Sequence, residues 1–190
     1  MRDMVEIRWH GRGGQGAKTA AQLLAEAAME SGRSIQAFPE YGPERAGAPI
    51  KAFTRISDDP IDIHSGVSEP DVVVVIDPTL LDSVDVTEGL GDDGLILVNS
   101  SQSPDQVRKT LGIERGKVGT VDATTIALDT LGRPMTNLPM VGALLKARSI
   151  VPVDVLETRI EKKFSGKIGE EKTRANISGT RRAYEEVRLE

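Results

Sequence analysis

The residues of this chain best suited to chemistry lie in one run near the N-terminus, Gly11-Arg12-Gly13-Gly14-Gln15-Gly16. Gly11, Gly13 and Gly16 match the spacing G-x-G-x-x-G. Glycines so placed permit a tight turn, a close approach of backbone to phosphate, and close packing of a helix on a strand. Successive N–H groups can then face one concavity, and a helix starting behind them favours negative charge at its N-terminus. Arg12 and Lys18 add positive charge. The competing reading is a purely structural turn. A nucleoside-triphosphate loop of the form G-x-x-x-x-G-K-[ST] does not fit, because Ala17 separates Gly16 from Lys18. A nicotinamide site wants an acidic residue at the end of the second strand. That strand reads Ala37-Phe38-Pro39, with Glu40 beyond the proline.

A second candidate is Tyr41-Gly42-Pro43-Glu44-Arg45-Ala46-Gly47-Ala48-Pro49. Its simplest reading is a solvated surface loop. As a functional loop it would present Tyr41, Glu44 and Arg45 to a ligand or a neighbouring chain, close to the glycine run. Asp77-Pro78 and Asn99-Ser100-Ser101 follow two apolar runs. Ligands of open α/β sheets lie outside the carboxyl ends of strands, so Asn99 and Ser100 are candidates to bond an amide or phosphate. Both residue types also cap helices and shape turns. His10 reads as a satisfied structural histidine, and Asn137 as a cap or interface residue.

The elements that must position these residues alternate between strand and helix. Val5–His10, Ser34–Phe38, Ile50–Ile56, Asp71–Asp77, Leu95–Val98 and Val118–Val121 read as strands. Ile61–His64 reads as a hairpin partner for the third of these. Ala17–Ser31, Pro104–Leu111, Thr124–Leu131, Leu138–Ser149, Val153–Phe164 and Glu170–Val187 read as helices, the last strongly charged and half exposed. Asp71–Asp77 and Leu95–Val98 have the unbroken apolar character of central parallel strands. The pattern predicts an α/β fold, Rossmann-like, with a doubly wound, mostly parallel sheet in a single domain over residues 1–190.

Composition narrows the function. Aromatic residues make up 3% of the 190, so the core must be built of Val, Ile, Leu and Ala. The net charge of -5 argues against a nucleic-acid partner. There is no cysteine to ligate an iron–sulfur cluster, and two histidines are too few for a typical zinc site. No apolar run approaches the ~20 residues of a membrane helix, and no apolar leader segment follows Met1, so a cytoplasmic location without membrane contact is expected.

Taken together the motifs resemble the gamma chains of 2-oxoacid:ferredoxin oxidoreductases. The features that carry the likeness are Trp9 to Ala20 around the glycine run and the Y-G-x-E-R-x-G-A-P segment of pyruvate-type chains at Tyr41–Pro49. Others are Pro70–Asp77, the L-V-N-S turn, Val121–Ala127 and Asn137–Ala143. The resemblance spans almost the whole chain. It implies a subunit of a pyruvate oxidoreductase that makes acetyl-CoA, CO₂ and reduced ferredoxin from pyruvate and coenzyme A. Thiamine diphosphate, Mg²⁺ and 4Fe-4S clusters would then lie on partner subunits (alpha, beta and delta), and none would be bound by this chain alone. The G-D-G and N-N pattern of a thiamine site is missing. Gly91-Asp92-Asp93-Gly94 is only a superficial likeness, and Asn99 follows too soon.

The resemblance assigns no catalytic residue and no metal ligand here. It points to coenzyme A phosphates near Gly11 to Gly16, with Arg12, Gln15, Lys18, Tyr41, Glu44, Arg45, Asn99 and Ser100 as candidate contacts. The isolated chain is expected to be inactive. Alternatives are a gamma chain for another 2-oxoacid (ketoisovalerate or indolepyruvate), a free-standing NAD-binding oxidoreductase, and a scaffold whose glycine run is only a turn.

Overall fold

The computed structural model describes residues 4–40 and 47–190. A seven-stranded sheet runs in the order β2-β3-β1-β4-β5-β6-β7. Its strands are β1 (Met4–Arg12), β2 (Ser34–Pro39), β3 (Pro49–Ser57), β4 (Val72–Val75), β5 (Leu95–Asn99), β6 (Lys117–Val121) and β7 (Arg188–Leu189). The helices are α1 (Ala17–Met29), α2 (Pro104–Leu111), α3 (Ala123–Leu131), α4 (Asn137–Ala147), α5 (Val153–Ile168) and α6 (Glu170–Glu186). β1, β4, β5 and β6 pair in parallel at the centre, whereas β3 and β7 run against their neighbours.

The fold follows from a period of two in the central strands. Val72 and Val74 of β4, with Leu95 and Leu97 of β5, face one core with Ile7 and Trp9 of β1. That core is closed by α1 and α3 to α6. Val73, Val75, Ile96 and Val98 face a second, smaller core closed by Leu80 and by Val107 of α2. Strands buried on both faces leave no room for polar alternation, which is why these runs read as continuous valine and leucine. On α1, Ala17, Ala20, Ala21, Ala25, Ala27 and Ala28 are all fully buried, so small side chains bring the helix close to the sheet. α2 is set by Ser103 and Gln106, which exchange capping hydrogen bonds, and ends at Gly112 with φ 64°.

Three details depart from the sequence expectations. Ile61–His64 forms no strand, because β3 already pairs with β1 on one side and β2 on the other and has no free edge. Instead the Gln36 amide donates to the carbonyl of Ile63 at 2.8 Å. A 3-10 turn at Pro78–Asp82 and the short edge strand β7 carry too little periodicity to be read from sequence. The edge strand is pinned by side chains: Glu190 accepts from Arg108 and from the Val118 N–H. α5 also runs on to Ile168, past Phe164.

Candidate functional site

β1 ends at Arg12, and the glycine run turns the chain into α1 at the carboxyl edge of the sheet. Gly14 has φ 94° and Gly16 φ 81°, values that L side chains rarely adopt. Gly16 is fixed twice over, since a Cβ there would lie 2.6 Å from Nδ2 of Asn137. A Cβ on Gly14 would meet nothing within 4 Å, so only its backbone conformation calls for glycine. Gly11 is different: its Cβ would make ordinary contacts at 3.5 Å with Ala17 and Gln15. The first glycine of the motif is therefore not demanded by space. No side chain caps the start of α1 among the described residues, and Gly16 lends its carbonyl to the Ala20 N–H at 2.9 Å. The first N–H groups of the helix thus remain available to an anion.

The polar side chains of the run are tied to the neighbouring strand end. The Gln15 side-chain oxygen accepts from the Arg12 N–H at 2.7 Å, and its amide nitrogen donates to Asp77 at 2.6 Å. Arg12 donates through Nε and Nη2 to the Thr79 hydroxyl at 3.1 and 2.8 Å, and lies 3.3 Å from the Asp77 carboxylate. Asp77 also caps the 3-10 turn by accepting from the Thr79 N–H. Burial pushes the Asp77 carboxyl up, but hydrogen bonds from Thr79 and Gln15 and the charge of Arg12 outweigh it and hold the group below the usual aspartate range. Asp77 is therefore an ionised, fully donated anchor. Its charge is offset locally, so the helix N-terminus beside it does not face a bare carboxylate.

The second loop returns to the same place. The Gly13 N–H donates to the Ala48 carbonyl at 2.9 Å, the Gly47 N–H donates to the Gly13 carbonyl at 3.3 Å, and Arg12 Nη1 reaches the Gly47 carbonyl at 3.2 Å. The base of the Tyr41–Pro49 segment thus sits on the glycine run, as its exit from a strand end suggested. Tyr41, Glu44 and Arg45 themselves lie outside the described residues. Lys18 is exposed on the first turn of α1.

Asn99 and Ser100 have local partners. Asn99 is buried, donates to the Ile76 carbonyl and to Thr124 at 3.0 Å each, and accepts from the Thr124 N–H at 3.3 Å. Ser100 accepts from the Gln102 N–H at 3.1 Å. They join the end of β5 to the start of α3, under the strand end that holds Asp77. His10 is buried with Nε2 accepting from Arg8 Nε at 3.0 Å, the satisfied arrangement expected of it. Burial, then Arg8 and Lys51, lower its pKa to about 3.

Thr79 is the site residue that sequence reasoning missed. The only local signal was Asp77-Pro78-Thr79, a turn-capping pattern that does not say what else the aspartate holds.

Comparisons with known proteins show the family and the fold. The family described as Pyruvate ferredoxin/flavodoxin oxidoreductase matches residues 6–186. The chain is 55% identical over 183 residues to the pyruvate synthase subunit PorC of Thermotoga maritima, covering 96% of this chain and 94% of that one. It is 51% identical over 186 residues to the pyruvate/ketoisovalerate oxidoreductases common subunit gamma of Pyrococcus abyssi, covering 98% of each. The crystal structure of the Thermotoga maritima pyruvate oxidoreductase subunit PORC superposes with a TM-score of 0.88 at 50% identity, over 99% of each chain. A 2-oxoglutarate:ferredoxin oxidoreductase from Magnetococcus marinus shares the fold alone, with a TM-score of 0.78 at 18% identity over 96% of this chain and 31% of that chain.

Proposed function

This chain belongs to the pyruvate ferredoxin/flavodoxin oxidoreductase family, and from that premise we propose that it is the gamma-type subunit of a multichain pyruvate:ferredoxin oxidoreductase. The reaction joins the acetyl group of pyruvate to coenzyme A, releases CO₂, and passes two electrons to ferredoxin. The observation that carries the reading is end-to-end likeness at 55% identity to a pyruvate synthase subunit. A gamma chain shared between pyruvate and ketoisovalerate enzymes is the second reading, and 51% identity to such a common subunit favours it. Under either reading the 2-oxoacid is chosen on another chain.

The chemistry of this chain's residues suits a supporting role. It has no cysteine to hold an iron–sulfur cluster, and among the described residues no group of three His, Asp or Glu side chains is placed to hold a metal. Thiamine diphosphate, Mg²⁺ and the clusters are accordingly assigned to alpha, beta and delta partners, with ferredoxin meeting the assembled enzyme. No described helix is long and apolar enough to cross a membrane, in keeping with a cytoplasmic complex.

Coenzyme A is the ligand proposed for the strand-end site. The open N-terminus of α1, the left-handed Gly14 and Gly16 and the nearby Arg12 form a place where a phosphate gains hydrogen bonds and dipole stabilisation together. Lys18 and Arg45 are proposed to add charge. Gln15 and Asp77 hold the loop, and Asn99 and Ser100 support it from below. Gly14→Val or Arg45→Ala in the assembled enzyme is expected to raise the KM for coenzyme A by ~10-fold, about one charge-assisted contact, and to leave the KM for pyruvate in place. Normal assembly with unchanged coenzyme A kinetics in both variants would make the loops structural.

A further inference from the structure

A separate site lies on the opposite face of the sheet from α1. Here β1 turns Glu6, Arg8 and His10 away from the helical core, and their cross-strand partners on β3 are Arg55, Phe53 and Lys51. Two arginines are buried in this layer, Arg55 at 1% exposed and Arg8 at 2%. They are treated differently. Arg55 has a carboxylate: Nε meets Glu6 at 2.7 Å, while Nη1 meets the Gln36 side-chain oxygen and Nη2 the Gly66 carbonyl. Arg8 donates through Nε to His10 and through Nη2 to the carbonyls of Val86 and Glu88. Among the described residues its Nη1 has no acceptor and no carboxylate forms an ion pair with it. Glu88, Asp85 and Glu40 act on it only at a distance.

A buried guanidinium without a counter-ion is costly, and removing the partner of a buried pair commonly costs several kcal/mol. Arg8 also lines a pocket of about 380 Å³, with Lys51, Phe53, Gly66, Glu40 and Glu88 among its other walls. Lys51 sits opposite His10 on the same face, so a second cation faces the pocket without an ion pair among the described residues. A neutral His10 accepts from Arg8 and fixes the plane of the guanidinium, and with both Nη2 hydrogens on carbonyls only Nη1 is left for the pocket.

We propose that this pocket is a carboxylate-binding site, with the Nη1 of Arg8 donating to the carboxylate and Lys51 as the second cation. A carboxylate oxygen takes a charge-assisted hydrogen bond from Nη1 and is held by the charge of Lys51. Glu40 and Glu88 at the rim disfavour polyanions, so the site discriminates against phosphate-rich ligands and differs in chemistry from the strand-end site. The carboxylate can come from a small organic acid or from an Asp or Glu side chain of a partner subunit.

The test titrates the full chain, labelled for observation of the Arg8 guanidinium and His10 imidazole signals by NMR, with acetate, pyruvate and inorganic phosphate at neutral pH. Saturable shifts with acetate and pyruvate, and binding ~10-fold weaker for phosphate, are expected for a carboxylate site flanked by Glu40 and Glu88. Lys51→Gln should weaken pyruvate binding by roughly 5-fold while leaving the fold intact, as loss of one half-exposed cation predicts. If free acids do not bind the chain, carbodiimide treatment of the assembled complex distinguishes the other source. A zero-length cross-link from Lys51 to a second chain identifies a partner's carboxylate. The absence of both acid binding and an intermolecular cross-link overturns the proposal. It is equally overturned if Glu88→Gln alone shifts the Arg8 signals of the unliganded chain, since Glu88 would then be the counter-ion.

Discussion

The two faces of β1 reach the same burial by different physics. Ile7 and Trp9 enter an apolar core beneath α1, where Trp9 needs only one hydrogen bond, to Thr54 at 3.0 Å. Glu6, Arg8 and His10 enter a layer covered by loops, where every charge needs a partner of its own. The first face is held by area and packing, which tolerate small changes in shape. The second is held by matched charges, and losing one member strands the other. The strand-end site belongs to the second kind: Asp77 collects donors from Gln15, Thr79 and Arg12, and the loop stands on that one carboxylate.

The sharpest way to break the comparison is on the charged face. Glu6→Ala leaves the buried Arg55 without its carboxylate and is expected to cost about 3–5 kcal/mol in urea unfolding. An equal loss from a conservative trim on the apolar face, such as Ile7→Val, would erase the distinction, because that change should cost only about 0.5–1.5 kcal/mol. Next comes Gly142→Ala on the helical side. Its Cβ would lie 2.1 Å from the Thr180 carbonyl oxygen, so α4 and α6 must separate. A loss of roughly 3 kcal/mol, the upper part of the overpacking range, is expected by thermal or urea melts.

Acid should separate the faces without mutation. His10 has a folded pKa of about 3 against an ordinary value of 6.5, so between those values the unfolded chain binds the extra proton. Stability should therefore fall as pH drops from about 6.5 towards 3. Asp77 and Glu26, whose carboxyls are held low in the fold, begin to contribute only nearer their ordinary range of 3.8 and 4.5. His10→Gln should flatten the stability profile between pH 6.5 and 5 and make the acid limb below it shallower, with the carboxylate contribution remaining. An unchanged slope there would show that His10 is protonated in the fold. The smallest effect is expected on the outer surface. Arg159 pairs with Glu26 at 2.9 Å and is 26% exposed, so Arg159→Gln should cost about 0.5–1 kcal/mol and less in high salt.

Much of this was legible in the residue pattern. Asp71–Asp77 and Leu95–Val98 read as buried parallel strands, and Pro104 at the head of Pro104–Leu111 marked a helix start. The glycine run was visible as a strand-to-helix corner because its neighbours had the right periods. The Ile61–His64 hairpin failed because short alternation says nothing about whether a strand edge is free. For Asn99 and Ser100 the ligand and the turn-shaping readings stood side by side, because residue type does not reveal which hydrogen bonds are already taken.

The sequence by itself determined the fold class, the position of the glycine corner between strand and helix and the lack of cysteine ligands, since these depend on local period, backbone freedom and composition. The tertiary structure decided which polar groups remain available. Gln15 is consumed by Arg12 and Asp77, which lie 3 and 62 positions away in the chain. Arg55 finds Glu6 across 49 positions, whereas Arg8, two residues further along the same strand face, finds only carbonyls and an imidazole. Charge pairing inside a sheet is set by register and by the loops that cover it, and neither is written in the residues of one strand.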